Sequence, residues 1–178
     1  MKTLNIFSVF IIISICAAFT FAQTLYAPWA ELKTNMPPGM KNSYENMKLN
    51  TPPKSEIEIP AYPGAKIIET SESTQSVDDS KDPYLPTITL VSNDPADKVI
   101  KIYKEIIADF PDWHWSDNLK LFYKGNLQES LNRHSPYIQV TEITTNEPGL
   151  IYVSPHVLEL ANSKIIVCYN PRNLKKND

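Results

Sequence analysis

The segment from Asp94 to Pro111 constrains the fold most, because its pattern fits only one kind of element. Asp94 and Pro95 suit the N-cap and the first position of an α-helix, and Pro111 cannot continue one. Between them the apolar side chains recur at spacings of three and four residues: Val99, Ile102, Tyr103, Ile106, Ile107 and Phe110. The pattern predicts an amphipathic helix over residues 95–109, about 22 Å long, that packs on a sheet.

Short runs rich in β-branched and aromatic residues lie on both sides of this helix and predict the strands of the sheet. They cover residues 65–69, 87–92, 113–115, 119–125, 137–144 and 163–170, with "GLIYVS" as a further candidate. A short helix capped by Asn126 and a helical turn over Pro155 to Leu160 are also expected. The predicted fold class is α+β, with an antiparallel or mixed sheet of five to seven strands packed by one long amphipathic helix (95–109).

Residues 1–22 have the pattern of a secretory signal peptide. Lys2 precedes an apolar run from Leu4 to Ala22, and Thr20 and Ala22 supply the small residues of a cleavage site after Ala22. One alternative is an uncleaved N-terminal anchor, since the run approaches the ~20 residues of a membrane span. A lipoprotein at Cys16 is a second alternative, although the residues around it fit a lipobox poorly. The pattern predicts an exported protein, periplasmic or secreted, with no stable membrane span after cleavage.

Three segments follow the signal peptide. Residues 23–56 contain five prolines and scattered apolar residues without alternation, which predicts a Pro-rich flexible leader. The alternative is a strap whose Trp29 and methionines dock on the domain. Residues 57–170 are predicted as a single α+β domain, and residues 171–178 as a polar C-terminal tail.

Charge, cysteine and glycine content exclude several classes of function. The formal net charge is −3, without the clustered Lys and Arg of a nucleic-acid partner. Once the signal peptide is removed, Cys168 is the one remaining cysteine, so no intramolecular disulfide can form, and its apolar surroundings predict a buried side chain. The chain has four glycines and no Gly-rich phosphate loop, and no cofactor is predicted.

Two stretches together resemble a known kind of domain. Tyr62-Pro63-Gly64-Ala65 opens the domain, and a strand then leads through Asp94 and Pro95 into the helix that carries Val99 and Tyr103. This is similar to small uncharacterised secreted domains of bacteria that have a Tyr-Pro-Gly-Ala opening and a strand–Asp-Pro–helix step. The resemblance covers roughly residues 57–110 and consists of turn, cap and core residues. It implies an exported α+β domain and carries no catalytic residue.

The candidate binding residues are Trp113, His114 and Trp115, in the stretch "FPDWHWSD". If residues 113–115 form a strand, its period of two puts both tryptophans on one face and His114 on the other. The tryptophans then either lie in the core under the helix or form a paired platform on an open face. No HExxH or paired-cysteine spacing occurs, so no metal site and no catalytic residue is assigned.

Two classes of function fit these observations. The first is a non-catalytic binding or interaction module of the cell envelope, with an envelope protein or a glycan as its partner and no nucleic acid. The second is a small secreted, glycan-directed hydrolase that uses Asp112, His114 or Asp117 beside the tryptophans. The sequence favours the first, because it contains neither a G-x-S-x-G nucleophile motif nor a metal-ligand spacing that would support catalysis.

Overall fold

The computed structural model describes residues 25–73, 83–144 and 150–171, so the predicted signal peptide and almost all of the predicted tail lie outside it. Within these residues the chain forms a six-stranded sheet, four α-helices and two 3₁₀ turns, Lys54–Glu56 and Leu150–Tyr152. The helices and strands in chain order are α1 (Pro38–Leu49), β1 (Lys66–Ser71), β2 (Thr87–Ser92), α2 (Ala96–Ile107), β3 (Trp113–Ser116), β4 (Leu121–Lys124), α3 (Leu127–Leu131), β5 (Tyr137–Glu142), α4 (Pro155–Leu160) and β6 (Ser163–Cys168).

The strands lie in the order β1-β2-β6-β5-β4-β3, and every neighbouring pair is antiparallel. The last strand of the chain, β6, therefore lies in the centre, between β2 and β5. The predicted α+β class and strand number are confirmed, and the sheet is antiparallel. The candidate strand "GLIYVS" is not a strand, because Leu150–Tyr152 forms a 3₁₀ turn instead.

Helix α2 covers one face of the sheet. Val99, Tyr103 and Ile107 are buried in one cluster with the inward-facing strand residues, which include Ile88, Leu90, Phe122, Ile138, Val140, Ile165 and Val167. The helix is shorter than predicted, at 12 residues. It is also not the single long helix of the prediction, since α1 has 12 residues as well. α1 gives little sequence signal because Tyr44 is its one buried residue.

The start of α2 differs from the predicted cap. Pro95 is the N-cap residue, and no side chain bonds to the first amides of the helix. The Asp94 carboxylate instead accepts hydrogen bonds from the Tyr62 hydroxyl (2.8 Å) and the Lys98 ammonium (2.7 Å). Asp94 therefore connects the Tyr-Pro-Gly-Ala opening to the helix. The Asn126 cap of α3 is confirmed, since its side chain accepts from the amide of Gln128 (2.8 Å).

The segment predicted as a flexible leader is packed into the fold from residue 25 onwards. Its backbone bonds to the outer edge of β1: the Ile67 amide donates to the Pro28 carbonyl (2.7 Å), and the Ile67 carbonyl accepts from the Ala30 amide (2.8 Å). From α1, the buried Tyr44 hydroxyl donates to the Ala30 carbonyl (2.6 Å). The flexible-leader prediction is therefore wrong for these residues, because backbone pairing and single aromatic side chains anchor the segment without a repeating apolar pattern.

A second cluster lies on the other face of the sheet. Ile68 and Val91 of the sheet pack there against Ala30 of the leader and against Leu150, Val153 and Val157 around α4. Ser154 caps α4 by accepting a hydrogen bond from the Val157 amide. In the ranges described, none of the helices has the length and apolar character needed to cross a membrane.

The thiol of Cys168 is expected to resist thiol reagents in the folded protein. The residue is 1 % exposed, and burial raises its pKa to about 12, so almost no reactive thiolate exists at neutral pH. Labelling with Ellman's reagent should therefore proceed at the rate at which the chain unfolds and accelerate sharply in denaturant. Rapid stoichiometric labelling under native conditions would contradict the buried position.

Candidate functional site

Strand β3 carries the three candidate residues on two different faces of the sheet. Trp113 lies opposite Lys124 and Trp115 opposite Phe122 in the pairing with β4. Both tryptophans belong to the cluster under α2, whereas the intervening His114 points away from that cluster. The His114 ring contacts Tyr123 of β4 at a centroid distance of 5.4 Å. All three residues line one groove beside α2, but the two tryptophans also pack in the cluster under α2, whereas the His114 ring contacts Tyr123 outside that cluster.

Trp113 is a core residue. It is 8 % exposed and packs in the same cluster as Tyr103 and Phe122. Its indole N–H lies 3.4 Å from the Glu58 carboxylate, which also accepts a 2.7 Å hydrogen bond from Lys124. The polar edge of the ring is thus satisfied at the rim, while its apolar body supports the fold.

Trp115 is half-buried and lies at a groove between the C-terminal half of α2 and β3. The groove has a volume of about 310 Å³. Its lining is mainly aromatic and aliphatic, with Lys104 at the rim: Ile107, Ala108, Phe110, Pro111, Trp113, His114, Trp115 and Phe122. A groove of this composition presents an apolar surface that a bound molecule could cover. We call it the Trp115 groove.

Both the ring and the polar edge of Trp115 have partners. Phe122 packs at a centroid distance of 4.3 Å, and the Lys104 ammonium lies 4.6 Å from the ring centroid. The indole N–H donates a 2.7 Å hydrogen bond to the Asp117 carboxylate, which lies 3.7 Å from the same ammonium. Lys104, Trp115 and Asp117 therefore form one cluster at the rim of the groove, in which a cation contacts both a π-face and a carboxylate.

The Asp117 carboxylate is held in its charged form. The hydrogen bond from the Trp115 indole, and then the nearby Lys104 and Lys120, lower the pKa of Asp117 below its ordinary value. A carboxyl with a lowered pKa is ionised at neutral pH and cannot donate a proton as a general acid. The group is suited to receive a cation.

The groove adjoins an edge of the sheet. β3 is the last strand in the sheet order and, among the strands described, pairs with β4 alone. The Lys124 amide bonds to Pro136, which makes Lys124 and Trp113 a non-hydrogen-bonded pair. The backbone groups of Trp113, and by alternation those of Trp115, therefore point away from β4. The opposite edge differs, because the leader bonds to β1 there.

The side chains around the groove are poorly arranged for hydrolysis. His114 lines the groove, but its ring contacts Tyr123 outside the cluster that holds Trp115, and the Asp117 carboxylate is already bonded to the indole and close to Lys104. Asp112 is exposed, and its backbone carbonyl accepts a hydrogen bond from the Gly125 amide (3.1 Å) at the open end of the β3–β4 hairpin. In the three described ranges, no group of three or more His, Cys, Asp or Glu side chains could hold a metal ion.

Sequence reasoning named Trp115 and Asp117 but missed Lys104 and Phe122, which also contact Trp115. Lys104 falls off the apolar stripe of α2, which is typical of a solvent-facing lysine, and Phe122 lies in a different strand. Lys104 and Phe122 meet Trp115 through the tertiary packing of α2 over β3 and β4, which no local sequence pattern indicates. Comparisons of the chain with protein-family models, with curated proteins and with solved structures find no match. A function for this chain therefore has to be inferred from the geometry of the groove.

Proposed function

We propose that this chain is an exported cell-envelope protein that acts as a non-catalytic binding module, with the Trp115 groove as its binding site. The observation that carries the proposal is an aromatic groove of about 310 Å³ directly beside an edge strand. The Trp113 amide already donates to the Phe110 carbonyl (3.1 Å), so an added strand would pair with the Trp113 carbonyl and with the outward backbone groups of Trp115. Export is proposed from the signal-peptide pattern of residues 1–22 alone.

A polypeptide fits this site better than a glycan. Sugars bind to tryptophan by stacking on an open ring face, and the Trp115 ring is already contacted by Lys104 and by Phe122. An extended polypeptide can bond to the backbone of β3 and place alternate side chains in the groove. We therefore propose an envelope protein as the partner and keep a glycan as an outcome of the test.

A selection from a phage-displayed random dodecapeptide library tests the proposal. Peptides that bind the wild-type protein should bind Trp115→Ala roughly tenfold more weakly, because a buried aromatic anchor typically dominates such an interface. The matched control is Ile151→Ala, which removes an exposed apolar side chain (47 % exposed) from the 3₁₀ turn Leu150–Tyr152 and should bind like the wild type. Calorimetry gives the affinities, and the indole N–H signal of Trp115 locates the peptide.

Two results would oppose the proposal. A selection that yields no peptide dependent on Trp115 would remove the groove as a polypeptide site. Steady hydrolysis of chromogenic glycosides or peptidoglycan fragments that is lost in Asp117→Asn would instead establish the hydrolase. Binding of such fragments without turnover, again dependent on Trp115, would move the proposal from a protein partner to a glycan.

A further inference from the structure

We infer that the Trp115 groove recognises a cationic side chain, lysine or arginine, on an extended segment of the partner polypeptide. Trp115 and Asp117 are the receiving groups, and Lys104 occupies their site in the free protein. The inference rests on the proposed function, since it names the chemistry of the ligand at the same groove.

The observation behind it is that an ammonium group already lies in the site. The Lys104 Nζ atom is 4.6 Å from the Trp115 ring centroid and 3.7 Å from the Asp117 carboxylate. Tryptophan is the strongest cation–π acceptor among the side chains, and a cation within about 6 Å of the centroid is attracted to its face. A π-face and a carboxylate that converge on one point are therefore complementary to a positive charge.

The receiving groups are held in place independently of Lys104. The 2.7 Å hydrogen bond from the Trp115 indole to Asp117 fixes the carboxylate against the ring edge, and Phe122 packs against the Trp115 ring at a centroid distance of 4.3 Å. Trp115 is anchored in β3, which pairs with β4 along its length. If Lys104 leaves, the two groups remain oriented towards the position of the missing charge.

Lys104 itself is weakly held and can be displaced. Its side chain is 47 % exposed and that of Asp117 is 77 % exposed, so solvent and salt screen their attraction. The long lysine side chain also loses rotamer freedom while it stays over the ring. An incoming cation on a strand that pairs with β3 gains backbone hydrogen bonds that Lys104 does not make at this edge.

The same peptide selection supplies the test. Peptides that depend on Trp115 should carry lysine or arginine at one preferred position. Replacing that residue by norleucine, which keeps the apolar stem of lysine and removes its charge, should weaken binding roughly three- to tenfold. Asp117→Asn should weaken the cationic peptide by a similar factor and leave the norleucine peptide unchanged.

Lys104→Met provides the opposite prediction. It removes the internal cation but keeps a side chain of similar length, so the cationic peptide should bind roughly three- to tenfold more tightly, while the norleucine peptide changes little. Unchanged or weaker binding of the cationic peptide to this variant would overturn the role of Lys104 as an internal competitor.

The outcomes separate the inference from the function on which it rests. Peptides that depend on Trp115 but show no preferred cationic position, or norleucine analogues of equal affinity, would overturn the inference and leave the binding module intact. A library without any peptide dependent on Trp115 would overturn the proposed function itself. The norleucine comparison changes only the peptide and uses the wild-type protein, so its result does not depend on whether any substituted protein folds.

Discussion

A chain that begins at residue 57 is expected to lose at least ~5 kcal/mol of its free energy of unfolding, about the whole stability of many small domains. The truncation removes Tyr26, Ala27, Ala30 and Tyr44, all buried in the folded protein. It also uncovers the edge of β1, where the Ile67 amide and carbonyl lose their partners. Urea denaturation followed by circular dichroism compares it with a chain that begins at residue 23.

A point substitution tests the same interface without a truncation. Tyr44→Ala should cost about 3–5 kcal/mol, because the ring is 1 % exposed and packs edge-on against Trp29 at 4.8 Å. Tyr44→Phe should cost about 1–3 kcal/mol, since it leaves the buried Ala30 carbonyl without the hydroxyl donor. Leu49→Ala on the same helix, where Leu49 is 83 % exposed, is the control and should stay within about 0.5 kcal/mol.

Equal stability of the two chains would mean that residues 57–170 fold by themselves, as the sequence predicts. The structure leads to the opposite expectation, because leader residues belong to both buried clusters: Tyr26 and Ala27 to the one under α2, and Ala30 to the one near α4. The leader therefore acts as an additional strand segment and cover rather than as a linker.

The parts of the fold that the sequence predicts are those with a local physical cause. The strands 87–92 and 163–168 are rich in β-branched and apolar residues and both lie inside the sheet, and α2 has an apolar stripe because one side of it faces that sheet. The leader could not be predicted in this way. Its contacts join residues far apart in the chain, such as the Trp29 indole that donates to Thr51, and its prolines resemble those of a linker.

In the candidate site, too, the features with a local cause can be predicted from the sequence and those that depend on tertiary packing cannot. The period of two in β3 places Trp113 and Trp115 together and His114 apart, and this follows from the residues alone. Which tryptophan is buried depends on where α2 ends over β3, and that is a tertiary property. The same holds for Lys104, whose position over the Trp115 ring depends on how α2 packs on the sheet.

Trp113→Ala is expected to cost the protein more stability than Trp115→Ala, and Trp115→Ala to cost more affinity for the selected peptides. Trp113→Ala should cost about 3–5 kcal/mol in urea denaturation, because it empties a buried position among Tyr103 and Phe122. Trp115→Ala should cost about 1–2 kcal/mol, since the half-buried ring has less apolar area to lose. His114→Ala, which removes an exposed side chain from the other face, is the control and should stay within about 0.5 kcal/mol.

The contrast matters because two positions on the same face of one strand would then have separate roles, Trp113 in the fold and Trp115 in ligand binding. Trp113→Phe should recover most of the stability lost in Trp113→Ala and bind the selected peptides as the wild type does, since a smaller ring still fills much of the core position. Trp115→Phe should keep the fold but not the peptide affinity, because phenylalanine has no N–H to orient Asp117 and is a weaker partner for a cation. If Trp113→Phe instead loses peptide affinity while Trp115→Phe retains it, the binding surface lies deeper in the groove, on Trp113. The cluster of Lys104, Trp115 and Asp117 would then serve only to hold the end of α2 against the edge of the sheet.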